Sequence, residues 1–261
     1  MKKIFLLMIF ALTVSVASAW HTNCNAGVVA LAVKHLTPTA KSVVVKHLGT
    51  AYEDDCGYIY ALERKKEVFY TKEVHYLHLD KDFQPLNVEG DDALVAIEKA
   101  LDVLRTRKSH SDAEVKEALR YVINLMCDIH NFSNIRIESI AHSQSDFTFR
   151  RQLSDYKQTE FKTSRWSKVW YNLSARQGVF HADLMAEDME LCHGNKFAEF
   201  TKGTLADWAA DNGARAAEQL SIMYPDSVIT LRYFNEMEYM NYDMVTRAGF
   251  RLAVLLNEAL K

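Results

Sequence analysis

Proline and glycine are scarce in this chain, at 3 and 9 of 261 residues. That scarcity argues against a loop-rich or all-β architecture, whose tight turns draw on both residue types. No repeat, low-complexity tract or linker-like run breaks the sequence. Neither charge sign is in large excess: 31 Lys and Arg face 34 Asp and Glu, for a formal net charge of -3. A mildly acidic surface has no general attraction for a phosphate backbone, although it does not exclude a nucleic acid held through a metal. Cysteine is sparse, with 4 residues. Long apolar runs are confined to the N-terminus, and that one is too short for a comfortable membrane span.

The N-terminal run has the form of an export signal. Lys2 and Lys3 supply the positive start, Ile4 to Val16 the apolar core, and Ala17-Ser18-Ala19 a small-x-small cleavage site. The chain is therefore expected to divide into a signal peptide, 1–19, and one helical domain, 20–261, exported without a stable membrane anchor and acting as a monomer. Cleavage takes the formal charge from -3 to -5, because Lys2 and Lys3 leave with the leader. It also makes Trp20 the new terminus, whose free amine and neighbouring carbonyl can chelate a metal in a five-membered ring.

Hydrophobic residues make up 49% of the chain and recur mostly at helical spacing. Val28, Val29, Leu31 and Ala32 mark a first helix. Thr37-Pro38 starts a second, with a hydroxyl cap followed by proline at the first helical position, and Gly49 ends it. Leu94, Ile97, Leu101 and Leu104 line one face of a helix within 91–108. Leu205 to Tyr224 and Met244 to Leu260 are helical in pattern. The alternation around Val74 to Asp80 suits a short extended segment, and 146–151 suits a strand or a loop.

The most informative stretch is Asn124-Leu-Met-Cys-Asp-Ile-His-Asn-Phe-Ser-Asn134, which follows the apolar positions Leu119, Val122, Ile123 and Met126. Asn124 and Asp128 lie one turn apart on a shared helix face. His130 and Asn134 follow at the helix exit. Polar groups presented inward from a helix can build a metal site in the interior of a helical protein. The bland alternative is a surface helix with an Asp and a His on its wet face.

This stretch resembles the signature of the S-one/P-one family, secreted zinc-dependent single-strand nucleases related in fold to bacterial zinc phospholipase C. The family pattern is His-Leu-Val-Gly-Asp-Ile-His-Gln-Pro-Leu-His. Further similarities run along the chain: Trp20 at the mature start, Tyr52-Glu53-Asp54, Val74-His75-Tyr76-Leu77-His78-Leu79-Asp80, Trp170 in Ser164 to Tyr171, and Ala248-Gly-Phe-Arg-Leu-Ala near the end. The resemblance implies an all-α, single-domain phospholipase C/nuclease-like fold. It also implies metal-dependent hydrolysis of phosphoester bonds, as an endonuclease or 3′-nucleotidase on single-stranded nucleic acid or a nucleotide.

It implies, too, that Trp20, Asp54, His75 and Asp128 stand at retained metal positions, with Asp54 acting on the attacking water. Asn25, Asn124, Asn134, Ser167 and Tyr171 stand where the family places other ligands. Neutral amides, a serine and a tyrosine are poor zinc donors at neutral pH. Zero or one zinc ion is therefore expected, and the multi-metal clamp that polarises water and steadies a phosphate should be impaired or lost. The alternative function is a non-catalytic pseudo-nuclease that binds a ligand, since Asn keeps hydrogen-bonding capacity while losing metal affinity. Phospholipase activity would need the same missing metals.

Cys24, Cys56 and Cys127 each sit beside a family ligand position, and export permits disulfides. Two arrangements stay open: a disulfide such as Cys24–Cys56 that staples the N-terminus, or a thiolate zinc site of Cys24, Cys56, Cys127 and His75. Cys192 reads as a small buried hydrophobe. Asn131-Phe-Ser133 and Asn172-Leu-Ser174 match a glycosylation pattern but carry no weight in the argument.

Overall fold

A computed structural model describes residues 20, 22–50, 72–86, 92–154, 156–157, 159–177 and 181–261. The expected signal peptide, His21, Asp54, Asp55 and Cys56 lie outside the described residues.

The described chain is mostly helical. In order come α1 (Thr22–Lys34), α2 (Pro38–Leu48), β1 (Leu77–Leu79), α3 (Ala93–Arg105), α4 (Asp112–Ile129), β2 (Ile135–Ile137), β3 (Thr148–Gln152), β4 (Phe161–Arg165), α5 (Trp166–Gln177), α6 (Ala182–His193), the short α7 (Phe197–Phe200), α8 (Leu205–Ile222), β5 (Val228–Ile229) and α9 (Leu231–Ala259). Single 3₁₀ turns fill several joints, including Lys72–His75 before β1 and Phe132–Asn134 between α4 and β2.

The expectation of an all-α fold needs one correction. Two small sheets exist: a parallel pair of β1 and β2, and a three-stranded sheet in the order β4-β3-β5. The first joins Leu77 to Ile135 and Leu79 to Ile137. Each of its strands is only three residues long, too short for periodicity to separate it from a loop. In the second, β3 pairs antiparallel with β4 and parallel with the two-residue β5. Of the segment 146–151, read as strand or loop, residues 148–151 lie in β3, which finds partners on both sides.

Local signals set most helix ends. The Thr37 hydroxyl accepts from the Ala40 amide, and Pro38 occupies the first turn of α2. Ser111 and Glu114 form a reciprocal capping box at the start of α4, and Thr204 with Asp207 does the same for α8. The C-terminal helix extends further than its apolar pattern indicates, beginning at Leu231 behind a Thr230 cap. Its first turns are half exposed, so they lack the dense apolar repeat of its C-terminal half.

Helix α4 is the axis of the domain. It packs against α1, α2, α3 and α9. Every residue from Tyr121 to Ile129 is buried, so the surface-helix reading of this stretch is excluded. Helix α1 lies between α6 and α9. Gly249 makes that approach possible: a Cβ there would come within 2.8 Å of the Leu31 side chain. At Gly213 of α8, a Cβ would meet Leu79 of β1 at 2.3 Å. Among the described residues no helix is long and apolar enough to cross a membrane.

Candidate functional site

The buried polar centre forms where the end of α4 meets the turn before β1. Asp128 is fully buried, and its Oδ2 lies 2.7 Å from His75 Nδ1. The second carboxylate oxygen, Oδ1, accepts from Asn134 Nδ2 at 3.3 Å, and the same amide nitrogen donates to the His75 carbonyl at 3.0 Å. The 3₁₀ turn that follows α4 carries Asn134 back beneath the helix, and Asn131 Oδ1 fixes that turn by accepting from the Ser133 amide at 2.8 Å. The pairing of β1 with β2 holds His75 and Asn134 at the same end of the short sheet. His75 is thus joined to Asp128 and Asn134, more than fifty residues later, in one hydrogen-bonded group.

The other sequence-derived positions distribute differently. Trp20 is fully buried, and its indole N–H donates to Asn241 of α9 at 3.0 Å. Asn25 is buried on α1. Asn124 is buried one turn before Asp128, and its amide donates to the Arg120 carbonyl at 2.8 Å. Ser167 bonds Asp146 instead of the centre: its amide and hydroxyl contact the two carboxylate oxygens at 3.0 and 2.9 Å. Tyr171 is half exposed, with Lys168 over its ring. The structure therefore joins His75, Asp128 and Asn134 directly, and it commits Ser167 to donating to Asp146, which caps the start of α5.

In this structure the described residues of the centre bond to one another. Asp128 has both oxygens engaged, and Asn134 turns its NH₂ group, a donor, toward the carboxylate, whereas a metal would require the amide oxygen. Among the described residues no group of three or more His, Cys, Asp or Glu side chains converges to hold a metal. Cys24 and Cys127 are both buried. Burial pushes the Cys24 thiol far above its ordinary ionisation range. Cys192, expected inside, is exposed near the end of α6.

A second polar network was not legible in the motif. His130 caps α4 and is fully buried, with Nδ1 2.7 Å from the Met126 carbonyl and Nε2 3.1 Å from Arg251 Nη1. Arginine can only donate, so Nε2 is the acceptor and Nδ1 carries the proton. Burial, reinforced by the Arg251 charge, holds the imidazole well below its ordinary pKa and therefore neutral.

Arg251 also donates to the Phe200 carbonyl at 2.8 Å, Asn212 Oδ1 at 2.9 Å and Asp211 Oδ2 at 2.6 Å. Burial brings its own pKa down to about 10 against the pull of Asp211. Asp211 further contacts Arg215 and Arg247, and Arg247 donates to Asp243 at 2.7 Å. Burial works to raise the Asp211 pKa, but the Arg251 hydrogen bond and the three guanidinium charges outweigh it and leave the carboxyl lowered. The available sequence signal was four-residue spacing: Asp211 to Arg215, Asp243 to Arg247, and Arg247 to Arg251. That spacing marks helix faces but not that the faces meet.

No family model matches the chain, and no curated protein matches it in sequence.

Proposed function

We propose that this is an exported, non-hydrolytic protein built on the S-one/P-one nuclease architecture, one that has replaced its metal centre with hydrogen bonds and acts by binding. The observation that carries the reading is the hydrogen bonding of His75, Asp128 and Asn134 to one another. In a metal-dependent phosphodiesterase those positions must offer lone pairs to cations that activate water and steady the phosphate. Here the Asp128 carboxylate accepts from protein donors at both of its oxygens. The helical architecture around α4, buried throughout from Tyr121 to Ile129, is consistent with the phospholipase C/nuclease-like arrangement that the motifs imply.

A second reading keeps hydrolysis with one ion held by Asp54, His75 and Asp128. The close approach of His75 to Asp128 favours it, because two retained positions remain adjacent. The two readings separate on one sample of signal-cleaved protein, measured for metal content by mass spectrometry and for hydrolysis of single-stranded DNA. Neither bound metal nor hydrolysis is expected. Two or three zinc ions with hydrolysis would overturn the proposal, and one ion with hydrolysis would establish the second reading.

A further inference from the structure

A cleft of about 460 Å³ opens between the end of α6 with the turn that follows it, α8 and the middle of α9. That volume lies within the range of small-molecule sites. Its apolar wall includes Phe132, Phe200, Met240 and Met244, with Tyr239 at the rim, 80% exposed. Its polar wall is set by Arg215 and Arg247.

The two guanidiniums share two carboxylates, Asp211 and Asp243. Arg247 Nε donates to Asp243 at 2.7 Å, its Nη1 reaches Asp211 at 3.4 Å, and its plane lies 3.8 Å over the Phe200 ring. Arg215 Nε donates to Asp211 at 3.0 Å, and its Nη1 lies 3.7 Å from Asp243. The Nη2 group of each arginine has no acceptor among the described residues. Arg247 is buried, so its orientation is fixed by packing and not by solvent. Beside them His193 Nδ1 is buried and has no hydrogen-bond partner among the described residues. Burial lowers the His193 pKa, which leaves a neutral ring able to donate or accept one hydrogen bond.

Two preorganised guanidinium forks call for an oxyanion. The surrounding charge selects which kind. Lys196, Arg215 and Arg247 on the lining are matched by Glu199, Glu218 and Asp243. With no surplus of positive charge, the cleft accepts a single negative charge more readily than two. The apolar wall asks for a hydrocarbon or aromatic body behind that charge. We infer that this cleft binds a small amphipathic monocarboxylate, with its carboxylate on the Arg215 and Arg247 forks and its apolar body against Phe132, Phe200 and Met240. The inference rests on reading the protein as a binder, and its test does not depend on phosphoester chemistry.

Isothermal titration of the signal-cleaved protein with octanoate, octan-1-ol and inorganic phosphate provides that test. Octanoate is expected to saturate one site, with octanol and phosphate each at least about tenfold weaker, since one charge-assisted hydrogen bond is worth about ten- to a hundredfold. Arg215→Gln should weaken octanoate by about that factor. Tyr239→Glu, at the exposed rim where folding is undisturbed, should also weaken octanoate by placing a like charge at the mouth, and should leave octanol nearly unchanged. Equal binding of octanol and octanoate, phosphate binding tighter than octanoate, or octanoate binding unchanged in both variants would each overturn the assignment. No octanoate binding by the native protein, together with no single-strand hydrolysis, would refute the cleft alone and leave the non-hydrolytic reading standing.

Discussion

Arg251→Met offers a direct test of how the domain is held together. Methionine replaces most of the side-chain volume and removes every donor. In the native protein those donors serve Phe200 O, Asn212 Oδ1, His130 Nε2 and Asp211 Oδ2, all from a residue that is 2% exposed. Asp211 keeps Arg215 and Arg247, so its charge is not stranded. The three neutral acceptors lose their Arg251 donor, at about 1–3 kcal/mol for each left unsatisfied, part of which the new apolar contacts return. A net loss of about 3–5 kcal/mol is expected, the range for breaking one side of a buried ionic group.

Urea unfolding at pH 7.5 measures this as a lower midpoint with an unchanged slope. The variant also tests His130. In the native protein the folded pKa of His130 is depressed, so the unfolded chain binds the proton more readily. His130 therefore contributes stability above its unfolded pKa of about 6.5, and that contribution is lost as pH falls below it, by at most about 1.4 kcal/mol per pH unit. Removing the Arg251 charge should make that acid loss smaller between pH 6.5 and 5, although burial still opposes protonation. A cost below about 1 kcal/mol at pH 7.5, or an acid slope as steep as in the native protein, would refute the argument.

Asn134→Ala removes the donor from Asp128 Oδ1 and the His75 carbonyl, and a loss of about 1–3 kcal/mol in urea unfolding is expected. If the hydrogen-bonded centre has replaced metals, a strong chelator should leave the melting temperature of the native protein unchanged. Gly213→Ala should cost about 1–3 kcal/mol by calorimetry, because its Cβ would press into buried Leu79. A cost near zero would mean that α8 can draw back from β1. With Ellman's reagent, exposed Cys192 should react at once and buried Cys24 only on unfolding; if Cys24 labels on unfolding without reductant, the Cys24–Cys56 disulfide is excluded.

Most helices were legible because their signals are local. A repeat of apolar residues places α3, and Thr37-Pro38 starts α2. Residue types at the polar centre were legible through the motif, but their roles were not. The amphipathic pattern of α4 marked one apolar face, yet Asn124 and Asp128 on the other face are equally buried, because neighbouring elements cover that face as well. Ser167, placed by resemblance among the ligand positions, instead satisfies Asp146, which lies 21 residues earlier.

The sequence by itself determined the helical character of the domain, several helix starts and the identity of the groups near Asp128. Those follow from backbone propensity, capping and the period of hydrophobicity, all set within a few residues. Tertiary structure alone decided that β1 pairs with β2, that the Asn134 amide donates to Asp128, which proton His130 carries, and that Arg215, Arg247 and Arg251 share Asp211. Each of these depends on groups far apart in the chain brought into a dry interior, where an unmet hydrogen bond is costly enough to fix which atom faces which.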